Sequence, residues 1–262
     1  MSDLINQNRI ERDKVLFDKI FDQYCRKDIV SSSRIARATR LKQTIIRSDR
    51  NTSNLGDVLE VGCGGGFSVD YLHGMFDHFT GLDYSKNLIN LANKSHNLSN
   101  AEFLHLNFSD FDSAVKFDTI FMIGVLHHMP TIDSAICKCY HLLKPNGWLI
   151  VNEPQPTNSI LQFLRKMRTY LDSSYSDEQD QIQGDLLSSI FTKNGFSKVR
   201  TYGQGLFSTP FAEVILSPQL LAKPISHLAC GIDIFLESNF ASLIKNLTWN
   251  VIVSGQKPSI VA

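Results

Sequence analysis

Seven residues, Glu60-Val61-Gly62-Cys63-Gly64-Gly65-Gly66, constrain this chain more than any other segment. They close the short apolar run Val58–Val61, which reads as a buried strand, and they lead into a helical pattern from Phe67 to Met75. Glycines at such a junction let backbone approach a ligand closely, and free N–H groups at the helix start face it. A phosphate-binding loop would end in Gly-Lys-Ser/Thr, which is missing. A dinucleotide turn, G-x-G-x-x-G counted from Gly62, would place the ring of Phe67 where a third glycine allows close helix–strand packing.

Strand and helix patterns alternate onward. His78–Asp83, Glu102–Leu106, Phe117–Ile123 and Trp148–Asn152 read as strands, separated by helices over Ser85–Lys94 and Thr131–Leu143, the latter ended by Pro145-Asn146-Gly147. A helix over Asp185–Asn194, closed by Gly195, precedes strands Phe196–Tyr202 and Trp249–Ser254. The alternation predicts an α/β fold: one doubly wound, mostly parallel seven-stranded sheet covered by helices on both faces. Two helices are expected before it, over about residues 10–24 and from Ser31-Ser32-Ser33 to Arg47, so residues 1–54 read as an N-terminal helical part and 55–153 as the core. Ser159–Leu171 reads as a further helix, and Asp172–Gln183 as a polar, acidic, mobile stretch. Residues 154–183 and 203–247 are read as insertions capping the site, because some 40 apolar, proline-broken residues exceed an ordinary connection.

The pattern acid-x-Gly-x-Gly-x-Gly on Glu60, Gly62, Gly64 and Gly66 resembles the first motif of class I S-adenosylmethionine-dependent methyltransferases of the small-molecule type. Gly81-Leu82-Asp83-Tyr84-Ser85 resembles the family's second signature. Phe117–Phe121 with Gly124-Val125-Leu126-His127-His128-Met129 is similar to its fourth-strand segment, and Leu142–Ile150 to its turn into the fifth strand. The likeness covers about residues 55–155 firmly and 10–54 loosely. It implies S-adenosyl-L-methionine as cofactor: Glu60, Gly62, Cys63, Gly64 and Gly66 at the methionyl part, Asp83 at the ribose, Tyr84, Asn107 and Phe108 at the adenine, and Ile123 and Gly124 along the inner edge. Tyr24 resembles an aromatic lid residue and reads equally well as core. Asn107 stands where the family usually has aspartate. Its side-chain oxygen can also accept a hydrogen bond, and Asp110 offers a carboxylate three residues on.

His127, His128 and Glu153 are the candidate bases, because they follow strands four and five at the ligand-facing edge. Cys63 reads as a small spacer, and Cys137 and Cys139, two apart in a helix, face different sides and do not make a metal pair. Arg34, Arg37 and Arg40 fall on one helix face, either solvated or meeting an anionic substrate or membrane surface. The chain has 26 basic and 26 acidic residues among 262, and this balance argues against broad nucleic-acid binding. No run is apolar enough to span a membrane, though peripheral contact stays open, and the polar start predicts a cytoplasmic protein. Five scattered cysteines read as reduced thiols. Phe207, Phe211, Leu216, Leu220, Leu221, Leu228, Ile232 and Phe235 would line an apolar roof, suiting a small apolar or amphipathic acceptor, or read equally well as packing a small helical subdomain or a dimer contact. The competing functions are a nicotinamide-dependent oxidoreductase and a non-catalytic module that binds the cofactor. The oligomeric state and the acceptor atom are left open.

Overall fold

The computed structural model describes residue 21 and residues 25–50, 53–171 and 181–259. Along the chain run α1 (Ser31–Arg47), β1 (Asp57–Val61), α2 (Ser68–Tyr71), β2 (His78–Asp83), α3 (Lys86–Ser95), β3 (Ala101–His105), β4 (Phe117–Ile123), α4 (Ile132–Leu142), β5 (Leu143–Pro154), α5 (Ser159–Leu171), α6 (Gly184–Lys193), β6 (Ser197–Gln204), α7 (Thr209–Glu213), α8 (Gln219–Asn239), α9 (Ala241–Ile244) and β7 (Asn250–Gln256). Residues 25–29 are also helical. Tyr24, most of the helix expected over 10–24 and most of the acidic stretch 172–183 lie outside the described residues.

The sheet has seven strands in the order β3-β2-β1-β4-β5-β7-β6. The first five pair in parallel, and β7 runs antiparallel between β5 and β6. Side chains alternate across a strand, so Leu59 and Val61 enter one apolar cluster and Val58 enters the other, on the opposite face. Both faces being covered explains why Val58, Leu59 and Val61 of β1 do not alternate apolar with exposed polar positions. The order reverses between β1 and β4, and ligands of open α/β sheets bind at such a point, beyond the strands' carboxyl ends.

Most element ends fall within a residue or two of the expected ones, and Ser85 caps α3 by accepting from the N–H of Leu88. The fifth strand departs further. It starts at Leu143, which pairs with Phe117, and the register then jumps to Thr119 opposite Trp148. Residues 144–147 therefore bulge out of a continuing strand instead of preceding it. Asn146 takes a left-handed φ of 64° there, and Lys144 Nζ lies 2.7 Å from both Asp57 and Asp118, anchoring the bulge to the bases of β1 and β4.

The insertions are not placed as expected. α7 and α8 pack on α1, and among the described residues none of 154–183 or 203–247 lines either of the two cavities at the strand ends. Leu220, Leu221, Leu228, Ile232 and Phe235 are exposed to solvent. An apolar composition could signal burial over a ligand, but the inner face of α8 is already filled by its packing against α1.

Candidate functional site

The glycine turn leaves β1 with Gly62 at φ 75°, Gly64 at 55° and Gly66 at 76°, a region that side chains rarely adopt. Gly62 and Cys63 both donate their N–H groups to the carbonyl of Leu82 on β2. A methyl at Gly62 would collide with the side chain of Val125, and one at Gly66 would meet the ring of Phe103 at 2.7 Å. The turn is thereby pressed between the segment after β4 and β3.

Two cavities open beside it. The larger, about 410 Å³, is lined by Gly62, Asp83, Tyr84, Asn107, Phe108, Ile123, Gly124 and His128, and by Met129, Thr131 and Lys138. The smaller, about 70 Å³, is lined by Glu60, Gly62, Cys63, Ile123, Ser68 and Tyr71, and by Asp28, Arg37 and Arg40 from the helical segment ahead of β1. Gly62 and Ile123 belong to both walls, so the spaces adjoin. Gly64 and Gly66 line neither; Gly64 N–H instead donates to Asp83 Oδ2 at 2.9 Å.

Asp83 ends β2 nearly buried, accepting from Ser85 N–H as well as from Gly64. Burial raises its carboxyl above the ordinary value, and these two N–H donors oppose the rise. Asn107 caps the 3₁₀ turn Phe108–Asp110 by accepting from Ser109 N–H, and it reaches the cavity wall. Asp110, the alternative to Asn107, is exposed and off that wall.

Glu60 is the most unusual group. Oε1 accepts from Ser68 Oγ at 2.7 Å, while Oε2 is buried with no hydrogen-bond partner. Burial pushes its carboxyl up to about 8, and Asp83 and Asp28 add to the rise. Burial likewise raises the Cys63 thiol well above its usual value, so it stays neutral, as a spacer would.

The three candidate bases separate. His128 reaches the large cavity. His127 is buried, with Nδ1 2.6 Å from Glu153 Oε2. Glu153 was expected to face the acceptor, yet it is fully buried and turned toward the backbone after β4: Oε1 accepts from Val125 N–H and Leu126 N–H. A carboxylate so engaged holds a turn in shape.

The arginine stripe is not a solvated face. Arg37 pairs with Asp28 at 2.7 Å and Arg40 with Glu213 of α7 at 2.8 Å, while Arg34 approaches Asp70 at 3.7 Å. Burial alone would raise the Glu213 carboxyl, but Arg40, Lys27 and Arg37 together hold it well below the usual range. Tyr71 donates to Asp28 Oδ1 at 2.9 Å, completing the polar wall. The spacing of Arg37 and Arg40 was visible in the sequence, but their partners and the cavity they line were not.

Residues 59–149 match the family described as "Methyltransferase domain". This match over about a third of the chain, on a seven-stranded sheet with the glycine turn, supports a class I S-adenosylmethionine-dependent methyltransferase family. It is 30% identical over 113 residues to a fatty-acid O-methyltransferase of Mycolicibacterium smegmatis, covering 42% of this chain and 41% of that one. It is 37% identical over 100 residues to a ubiquinone biosynthesis O-methyltransferase of Coxiella burnetii, covering 35% and 41%. It therefore spans well under half the length of these curated relatives. A methyltransferase structure from Thermotoga maritima, described as a possible histamine N-methyltransferase, superposes with a TM-score of 0.59 at 15% identity, over 92% of this chain and 98% of that one. Among the described residues, no helix is long and apolar enough to cross a membrane.

Proposed function

We propose that this chain binds S-adenosylmethionine across the two adjoining cavities and transfers its methyl group to a small apolar or amphipathic acceptor. The observation that carries the reading is the buried, partnerless Oε2 of Glu60 in the small polar space, next to a larger space bounded by Asp83 and aromatic side chains. A polar atom buried without a partner is costly and is suited to a ligand that supplies one.

When bound, the cofactor supplies a methyl group that its sulfonium already makes electrophilic. The chain's own work is to bind, orient and exclude water. Asp83 accepts from the ribose hydroxyls, and Asn107 offers its amide to the adenine edge. Tyr84, Phe108 and Ile123 shield this part from solvent. In the small space Glu60 faces the cofactor's positive end, and Arg37 offers a cation to its carboxylate. For a hydroxyl acceptor, His128 is placed to take the proton, while Glu153 and His127 set the shape of the turn that carries it. The fatty-acid and ubiquinone-pathway names of the relatives support an acceptor with an apolar part.

Nothing in the geometry favours a nicotinamide-dependent oxidoreductase, since Phe67 fills the third-glycine position and packs edge-on against His96 at 5.4 Å. Calorimetry with S-adenosylmethionine and its demethylated product is expected to register binding of both. An acceptor panel read by mass spectrometry should then show a 14-dalton gain on an apolar member, about the mass a methyl adds. Absence of heat with either compound overturns the reading, and turnover of hydrophilic acceptors alone removes the apolar assignment. Binding without turnover on any acceptor would leave the non-catalytic module in its place.

A further inference from the structure

α8 presents an outer face that the site does not use. Leu221, Ile225, Leu228, Ile232 and Phe235 recur at alternating steps of four and three, and each is 39% to 64% exposed. At about 100° per residue, the exposed positions from Leu220 to Phe235 that carry no charge fill an arc of about 140°. The charges on this helix are sorted by face. Its two acids, Asp233 and Glu237, are buried: Asp233 accepts from the N–H groups of residues 206–208, and Glu237 from Gly205 N–H. The exposed titratable residues of that stretch, Lys223 and His227, both lie along one edge of the apolar arc.

The face continues beyond α8. The rings of Phe235 and Phe240 lie 6.0 Å apart, and Leu243 of α9 is exposed. The carbonyls of Asn246 and Leu247 accept from Thr157 and Asn158, which brings the start of α5 and its exposed Ile160 alongside.

We infer that the outer face of α8 is a docking surface for an anionic lipid bilayer, with the helix lying flat in the headgroup region. A helix-pairing seam is narrower than this arc, whereas an interfacial helix carries a broad apolar face with basic residues beside it. Neighbouring exposed apolar side chains mark an interaction site, and α8 itself exposes no acid, which matches an anionic partner. Docking needs neither the cofactor nor the methyl-transfer reading, so the two stand or fall by separate measurements.

The test is flotation of the full chain with vesicles of phosphatidylcholine containing about one third phosphatidylglycerol. Binding is expected, weaker by about tenfold or more on pure phosphatidylcholine, and lost in the double variant Ile225→Glu, Leu228→Glu with its melting temperature unchanged. Lys223→Glu is expected to weaken binding to anionic vesicles alone. No flotation overturns the inference. So does sedimentation showing a dimer that the double variant dissociates, which would make the face a contact between copies. A double variant that melts well below the parent also overturns it, because the face would then be packed against another part of its own chain.

Discussion

Oε2 of Glu153 lies 2.6 Å from Nδ1 of His127, both groups buried, while Oε1 of the same carboxylate takes two backbone N–H donors from the turn after β4. Glu153→Ala would strand those donors and the imidazole in a dry interior, costing on the order of 3 kcal/mol or more. For a chain of this size that lowers the melting temperature by about 6–12 °C. Glu153→Gln keeps one acceptor oxygen for the backbone but turns an amide N–H toward His127. It should melt closer to the parent, and equal melting of the Ala and Gln variants in calorimetric scans would remove the carboxylate from this role.

Asp83→Ala is expected to weaken S-adenosylmethionine binding about tenfold or more, equivalent to ~1.4 kcal/mol, because ribose hydroxyls would lose their acceptor in a closed site. It also releases Gly64 N–H, so a lower melting temperature should accompany the loss. Titration calorimetry on the folded variant separates the two effects, and undiminished affinity would move the ribose elsewhere.

Glu60 makes affinity depend on pH. With its carboxyl near 8, the ligand-free protein carries it mostly neutral at pH 7, and holding a cation beside it requires releasing that proton. Affinity for the cofactor should therefore rise with pH up to about 8 and level off above, by at most about tenfold per unit. Stability of the ligand-free protein runs the other way. An acid whose folded value is raised contributes most below its unfolded value of 4.5 and loses up to ~1.4 kcal/mol per pH unit as pH climbs toward about 8. Glu60→Gln should flatten both trends, and a variant whose pH profiles overlay the parent's would contradict the assignment.

Gly62→Ala tests the turn itself. The added methyl meets Val125 on a backbone at φ 75°, so a loss of about 2 kcal/mol or more is expected. Trimming Val125 to Ala in the same chain should restore part of the loss by relieving the contact but not the backbone strain. Thermal denaturation of the single and double variants measures both parts.

How far the sequence alone could be read follows from how local each cause is. The glycines of the turn and Asp83 announce themselves because a left-handed backbone and a strand-ending acid leave marks within a few residues. The five parallel strands show for the same reason. What depends on distant partners stayed hidden. Arg40 reads as one of a solvated stripe until Glu213, 173 residues away, is seen beside it. Glu153 reads as a base until its oxygens are found on Val125, Leu126 and His127. Leu228 and its neighbours have the composition of a ligand roof, and only the packing of α8 on α1 shows that they face outward.

The antiparallel wedge of β7 has a consequence for synthesis. Among the described residues β6 pairs only with β7, and β7 follows the other strands along the chain. Until Asn250 and the residues after it emerge from the ribosome, the growing polypeptide keeps two bare edges, on β5 and β6, that can recruit foreign strands. Completion of this sheet thus waits for its last-made strand, and a chain cut just ahead of Asn250 should come out as insoluble material.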